Sequence, residues 1–311
     1  MTSSTVSISN NKETAKICQA PVIFLDTAIL LKASKNEAPF KDLIDLVIRL
    51  SKERKIISIE GAQRDEICHG KDTHGIDILK EHCHATSSLE FIQKKQLFRA
   101  VCDYIKNKSS DFTLLIEDIF LHDPSITGTS GLGRITDSEA LGIDTDKNLI
   151  EQAKLHEVLR QAATASNIKY QKGREMGFKI LIDVWKSEPY LYGAWKSDSH
   201  KFNEFWDSKF FTEIPFVYLW SSLYSSIITD KNRKIFDETT QSPINGRKGD
   251  WIDLISISTL LPYCDYFTCD KNMKDMVRQI SEQDKNDRYF KKMYSSSEKD
   301  TKQLIEILET I

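Results

Sequence analysis

Val22-Ile23-Phe24-Leu25-Asp26, taken with Ile56-Ile57-Ser58-Ile59 further on, decides the fold class. A short apolar run ending in a carboxylate has the length of a strand buried on both faces. Between the two runs, Phe40, Leu43, Ile44, Val47, Ile48 and Leu50 recur at helical spacing. They close on Lys52, Arg54 and Lys55, cations that suit a helix C-terminus. Strand, helix and strand in so short a span require a crossover, and hence a parallel sheet. A further helix is expected to begin near Ala62 and to carry Asp65 and Glu66.

The same alternation returns near the other end of the sequence. Trp251, Leu254, Ile255 and Ser258 share a helix face, broadened by Ile252 and Ile257, and Pro262 stops that helix. Tyr263 to Cys269 reads as a strand ending at Asp270, with a helix from about Asn272 after it. Leu304, Ile305, Leu308 and Ile311 mark a last amphipathic helix. In between, helical periodicity dominates: Leu97, Val101, Tyr104 and Ile105 form one stripe, and Leu155, Val158, Leu159, Ala162 and Ala165 form another. Thr127–Arg134 reads as a loop whose glycines lack the Gly-Lys-Ser/Thr of a phosphate-cradling loop. The aromatics between Tyr190 and Tyr224, including Trp195, Trp206 and Trp220, fit core packing, with a base-stacking platform as the sharper alternative.

Composition narrows the function classes. Of 311 residues, 40% are hydrophobic and 29% charged, which excludes wholesale disorder. The net charge of −3 excludes a whole-protein basic field, so a nucleic-acid partner must be met by a local patch. The longest uncharged apolar stretch, Ile214–Thr229, holds Pro215 and four serines and is shorter than the roughly 20 residues of a membrane span. The start lacks the basic-then-apolar order of a signal peptide. Six cysteines without a Cys-x-x-Cys pair fit reduced thiols and a cytoplasmic setting.

Asp26 and Asp270 each directly follow an apolar strand, at the edge where parallel α/β sheets gather their ligands. Two carboxylates there repel unless a cation lies between them, and a hard cation such as Mg²⁺ or Mn²⁺ prefers oxygen ligands. Taken singly, an acid in this position is more often a helix N-cap. Asp250 and Asp253 are three apart at a helix start and so lie on one side of it. Capping and dipole complementarity account comfortably for one of the two.

These residues carry a resemblance. Asp26-Thr27-Ala28-Ile29-Leu30 resembles the D-[ST]-x-x-L strand end of the PIN-domain-like family, small α/β metal-dependent nucleases. Glu66 matches the acid that the family places on the helix after the second strand, with Glu60 as a competitor. Asp250, Asp253 and Thr268-Cys269-Asp270, in GDWIDLISISTLLPYCDYFTCDKNM, match its carboxyl-terminal half. They are similar to a bacterial branch with a D-x-x-D helix and a PYxDxxxxDK strand.

The resemblance implies a three-layer α/β domain with a central parallel sheet, interrupted by a large helical insertion. A disordered tail (1–18) would precede the first half (19–84), the insertion (85–225) and a second half with a C-terminal helix (226–311). It also implies phosphodiester hydrolysis, in RNA rather than structured DNA by family base rate. One or two Mg²⁺ or Mn²⁺ ions would be held by Asp26, Glu66, Asp270 and either or both of Asp250 and Asp253. Thr268, Lys271, Arg247 and Lys248 would position the substrate, and the insertion would serve a homo-oligomer or a protein partner. The alternative is a non-catalytic regulator that keeps the fold. His69, His74, His82 and His84, with Cys68 and Cys83, match no familiar zinc spacing and read as a polar helix and loop.

Overall fold

A computed structural model describes residues 20–61, 63, 67, 74–106, 114–120, 145–230, 236–237, 239–240, 242–243 and 250–311. The chain opens with β1 (Val22–Phe24), α1 (Thr27–Ser34), α2 (Phe40–Lys52) and β2 (Ile57–Glu60), then α3 (His74–His82) and β3 (Cys83–Ala85). A helical run follows: α4 (Leu89–Ile105), α5 (Thr145–Ala165), α6 (Tyr170–Trp185), α7 (Tyr192–Ser197), α8 (Ser199–Trp206), α9 (Lys209–Glu213) and α10 (Pro215–Thr229). The two-residue strands β4 (Phe236–Asp237) and β5 (Ser242–Pro243) pair antiparallel. The chain then forms α11 (Asp250–Leu260), β6 (Tyr266–Cys269), α12 (Lys271–Asp284), β7 (Met293–Ser295) and α13 (Glu298–Leu308).

Five strands form one all-parallel sheet in the order β3-β2-β1-β6-β7. Period-2 alternation sends its side chains to two cores. Val22, Phe24, Ile57, Ile59 and Phe267 face a core shared with α4, α10, α11 and α12. Ile23 and Leu25 face a second core with α1, α2 and α13. Helices therefore cover both faces, as an all-parallel sheet requires, and the fold is α/β. The helices between β3 and β6 share the first core with the sheet.

Several expectations need correction. The polar helix and loop expected around His82 and His84 contains β3, with His84 at its centre. Three residues of mixed polarity gain their strand geometry from pairing with Ser58–Glu60, and no sequence pattern announces it. β7 escapes notice for the same reason. The strand expected over Tyr263–Cys269 starts at Tyr266, because Leu261–Tyr263, with Pro262 inside it, forms a 3₁₀ turn. Most of the stripe on α5 is turned outward: Leu155 and Val158 are 57% and 60% exposed, Ala162 and Ala165 are exposed too, and Leu159 alone of the five packs on the core, while His156, Glu157 and Arg160 are buried. Glu157 and Arg160 satisfy each other in two hydrogen bonds of 2.6 and 3.1 Å, so a polar face is accommodated inside. The 127–134 loop and the 1–18 tail lie outside the described residues. Cys83, Cys102, Cys264 and Cys269 are not joined in disulfides. Among the described residues no helix is long and apolar enough to cross a membrane.

Candidate functional site

In sequence order the strands step from β1 outward through β2 to β3 on one side, and through β6 to β7 on the other. The winding reverses between β1 and β6. In open parallel sheets that switch point opens a crevice at the carboxyl ends of the two strands. Asp26 and Asp270 stand there. The register Phe24↔Phe267 sets Asp26 opposite Cys269, with Asp270 the next residue.

Side chains stitch β6 to β1 at both ends. At the amino end the Asp265 carboxylate accepts from the Val22 N–H at 2.8 Å, and the Asp265 N–H donates to Val22 O at 2.8 Å. At the carboxyl end the buried Thr268 hydroxyl accepts from the Asp26 N–H at 2.6 Å and donates to Phe24 O at 3.3 Å. Between them the Phe24 and Phe267 rings stack at 4.5 Å. Gln63 holds the other flank: its amide donates to Leu25 O at 2.8 Å and its oxygen accepts from the Gly61 N–H. A Cβ on Gly61 would stand 2.7 Å from the Phe24 ring and 2.8 Å from Leu260, so this close approach needs glycine. The backbone that presents Asp26 is thus fixed from both neighbouring strands.

Asp26, Thr27, Gln63, Asp253, Ser256 and Cys269 line a cleft floored by the stacked phenylalanines. α11 brings Asp253 to it. Asp250, one turn earlier, is buried and is not among the lining residues, so of the two candidates Asp253 is the one that shares the cleft with Asp26. α11 is anchored by Trp251, which stacks on His156 at 4.3 Å and meets Trp220 edge-on at 5.6 Å. Asp270 caps α12, accepting from the Met273 N–H at 2.6 Å through one of its two oxygens. The Cys269 thiol sits among these groups. Burial, with the carboxylates of Asp26, Asp270 and Asp253 nearby, pushes it well above the ordinary thiol range.

Other expected residues fall elsewhere. Glu60 is fully buried, and alternation turns it to the face opposite Asp26. Lys271 is exposed on the first turn of α12. Lys274, one of the nearby cations, is held by Asp300 at 2.5 Å. Glu66, Arg247, Lys248, His69 and Cys68 lie outside the described residues, and nothing is described of the His74 side chain. His82 donates from Nδ1 to Ile78 O, and its Nε2 lies 3.4 Å from Cys83 Sγ, while His84 packs edge-on against Phe120.

Sequence reasoning missed Gln63, Asp265 and Cys269. Cys269 was accessible to it, since period 2 from Phe267 puts the thiol on the cleft side. Gln63 carries no pattern that would single it out.

The donors facing the cleft fit a hard divalent cation in chemistry: two carboxylates, with a third beside them, concentrate negative charge at one point. Among the described residues, no group of three His, Cys, Asp or Glu side chains is arranged to hold one ion. Glu66, the ligand expected between β2 and α3, is not among those residues. No family model, curated protein or solved structure matches the chain.

Proposed function

We propose that the protein is a divalent-metal-dependent nuclease with a PIN-like fold, hydrolysing phosphodiester bonds, with RNA as the favoured substrate. The observation that carries this reading is the meeting of Asp26 and Asp253, from opposite ends of the sequence, in one cleft at the switch point of a parallel sheet, with Asp270 alongside. A bound Mg²⁺ or Mn²⁺ would activate water and neutralise charge growing on the phosphate. Asp26 and Asp253 are the residues to hold it, joined by Glu66 and Asp270. Thr268 and Gln63 act through Asp26: by fixing the backbone on either side of it they hold its carboxylate in one place, which metal-assisted hydrolysis needs. Lys271, exposed and next in sequence to Asp270, would offer a phosphate contact, and Arg247 and Lys248 precede α11 in sequence.

A second reading is a non-catalytic regulator on the same fold.

Cleavage of a panel of single-stranded RNA, duplex RNA, single-stranded DNA and branched DNA, with Mg²⁺, Mn²⁺ or EDTA, decides between the readings. Asp26→Asn and Asp253→Asn should each abolish metal-dependent cleavage with the circular dichroism spectrum unchanged, whereas Asp250→Asn should retain most of it. Activity that survives EDTA and Asp26→Asn would overturn the metal mechanism. Inertness on every substrate would transfer the weight to the regulator, and cleavage confined to branched DNA would identify a structure-specific DNA nuclease.

A further inference from the structure

Helix α5 carries an apolar face that the core does not use. Leu155 and Val158 are 57% and 60% exposed there, and Ala162 and Ala165 are exposed with them. Their steps of three, four and three residues keep all four within about 80° of one another around the helix. That is a straight seam of the kind by which helices pair. The other side of α5 is occupied. Ala153, His156, Glu157, Arg160 and Ala163 are buried, and α5 packs on α10.

Size and charge both change along the seam. Its amino half offers the larger side chains, Leu155 and Val158, and its carboxyl half the two alanines. Glu151, with its side chain 62% exposed, stands one turn before Leu155, and Lys169 is exposed in the turn that follows the helix. A second α5 laid antiparallel, centred between Val158 and Ala162, meets each of these with its complement. Leu155 of one copy faces Ala165 of the other, Val158 faces Ala162, and Glu151 faces Lys169. Every layer then holds one large and one small side chain, so the helices keep an even separation, and each end joins opposite charges. A parallel pair would crowd leucine on leucine at one end, leave alanine against alanine at the other, and oppose glutamate to glutamate and lysine to lysine. The flanking charges do not disturb the antiparallel match: Lys154, which meets Glu151 at 3.5 Å, falls opposite Ser166, and Lys172 is matched by Glu175 at 2.9 Å. Each half of the seam is the complement of the other half, and this selects a second copy of the chain as the occupant.

The length of the seam sets the strength. From Leu155 to Ala165 it runs about 15 Å at 1.5 Å per residue. So short a contact falls below the roughly 800 Å² per partner of a stable complex, and the pair forms only at high concentration. The seam faces away from α11, which the His156–Trp251 stack holds on the opposite side of α5, so pairing leaves the cleft of Asp26 and Asp253 uncovered.

We propose that two copies of this chain associate through α5, antiparallel about a two-fold axis, with Leu155 and Val158 of each packed on Ala165 and Ala162 of the other and Glu151 paired with Lys169 at both ends. A two-fold contact is self-complementary by construction, as this seam is. The inference draws nothing from the nuclease reading.

Full-length protein is followed by sedimentation velocity over about 5–500 µM at low salt, where a reversible monomer–dimer equilibrium should appear. Ala162→Gln overfills the seam with a good helix former at an exposed position. It should weaken association about tenfold or more with the circular dichroism spectrum and the urea midpoint unchanged. Glu151→Lys and Lys169→Glu should each weaken it about fivefold, and the two together should restore it. A chain that stays monomeric over the whole range would overturn the proposal. So would a dimer indifferent to Ala162→Gln, which would place the interface elsewhere. A dimer that Ala162→Gln disrupts, but in which the two charge reversals fail to rescue each other, would overturn the antiparallel pairing and with it the argument for self-complementarity.

Discussion

Replacing Thr268 by valine tests whether β6 holds Asp26 in place. The side chain is 1% exposed, and valine matches its shape while removing the hydroxyl. The Asp26 N–H then loses its 2.6 Å acceptor, and Phe24 O loses a weaker 3.3 Å donor. An unsatisfied, partly buried amide costs about 1–3 kcal/mol, and the carbonyl adds little because it has a second lone pair. At roughly 2.1 cal/mol/K per residue for the entropy of unfolding, a chain of 311 residues should lose about 2–5 °C in melting temperature. Thr268→Ser keeps the hydroxyl and removes one methyl, about 0.8 kcal/mol, so it should fall by only about 1 °C. The site-specific readout is hydrogen exchange at the Asp26 amide, which should speed up in Thr268→Val and stay slow in Thr268→Ser. Equal exchange at Asp26 in both variants, whatever their melting temperatures, would refute the pinning argument.

Gly177→Ala should lower the urea midpoint, by a net loss of up to about 2 kcal/mol: the added Cβ would stand 3.0 Å from the Ser221 Cα where α6 packs on α10, main chain that cannot rotate away, and this overlap of about 1–3 kcal/mol outweighs the ~1 kcal/mol that alanine gains over glycine inside a helix. Arg160→Leu alone should cost about 3 kcal/mol by taking from the buried Glu157 carboxylate its paired charge and two of its hydrogen bonds, with the Gln161 amide still donating to it at 3.2 Å, and adding Glu157→Leu should recover part of that loss in the same assay. Burial holds His156 and His82 neutral, with pKa values lowered from 6.5 to about 4. The unfolded chain therefore binds protons first as pH falls. Stability should be complete above pH 6.5 and decline between 6.5 and about 4, by up to about 3 kcal/mol per histidine. His156→Gln should flatten that decline in urea titrations at pH 7.5 and 5.

The parts of the fold legible in the sequence are those whose own side chains enforce them. β1, β2 and β6 are apolar enough to demand burial on both faces, and α2 and α13 carry strong apolar stripes. Asp26 and Asp270 could be singled out because each ends such a strand. β3 and β7 could not be read, since Cys83-His84-Ala85 and Met293-Tyr294-Ser295 become strands only by adding to an existing sheet. The outward turn of α5 was hidden for a related reason. Periodicity identifies an apolar stripe but not its direction, and the buried Glu157–Arg160 pair offsets the usual cost of turning a polar face inward. Choosing Asp253 over Asp250 needed the helix's rotation about its axis, which a spacing of three leaves open.

The pairing of β1 with β6 joins residues some 240 positions apart, and this gives the cleft a history. During synthesis at roughly 5–20 residues per second, Asp26 leaves the ribosome about 10–50 s before Asp270 does. Through that interval β1 can pair with β2 on one side only, so Val22–Phe24 presents an open, apolar strand edge of the kind that recruits other chains. Closing so long a loop costs on the order of 5 kcal/mol in chain entropy, to be recovered from the Phe24–Phe267 stack and the pins supplied by Asp265 and Thr268. The acidic site therefore closes only once β6 has been made, and a nascent or truncated chain ending before α11 carries Asp26 without the Asp253 that shares its cleft.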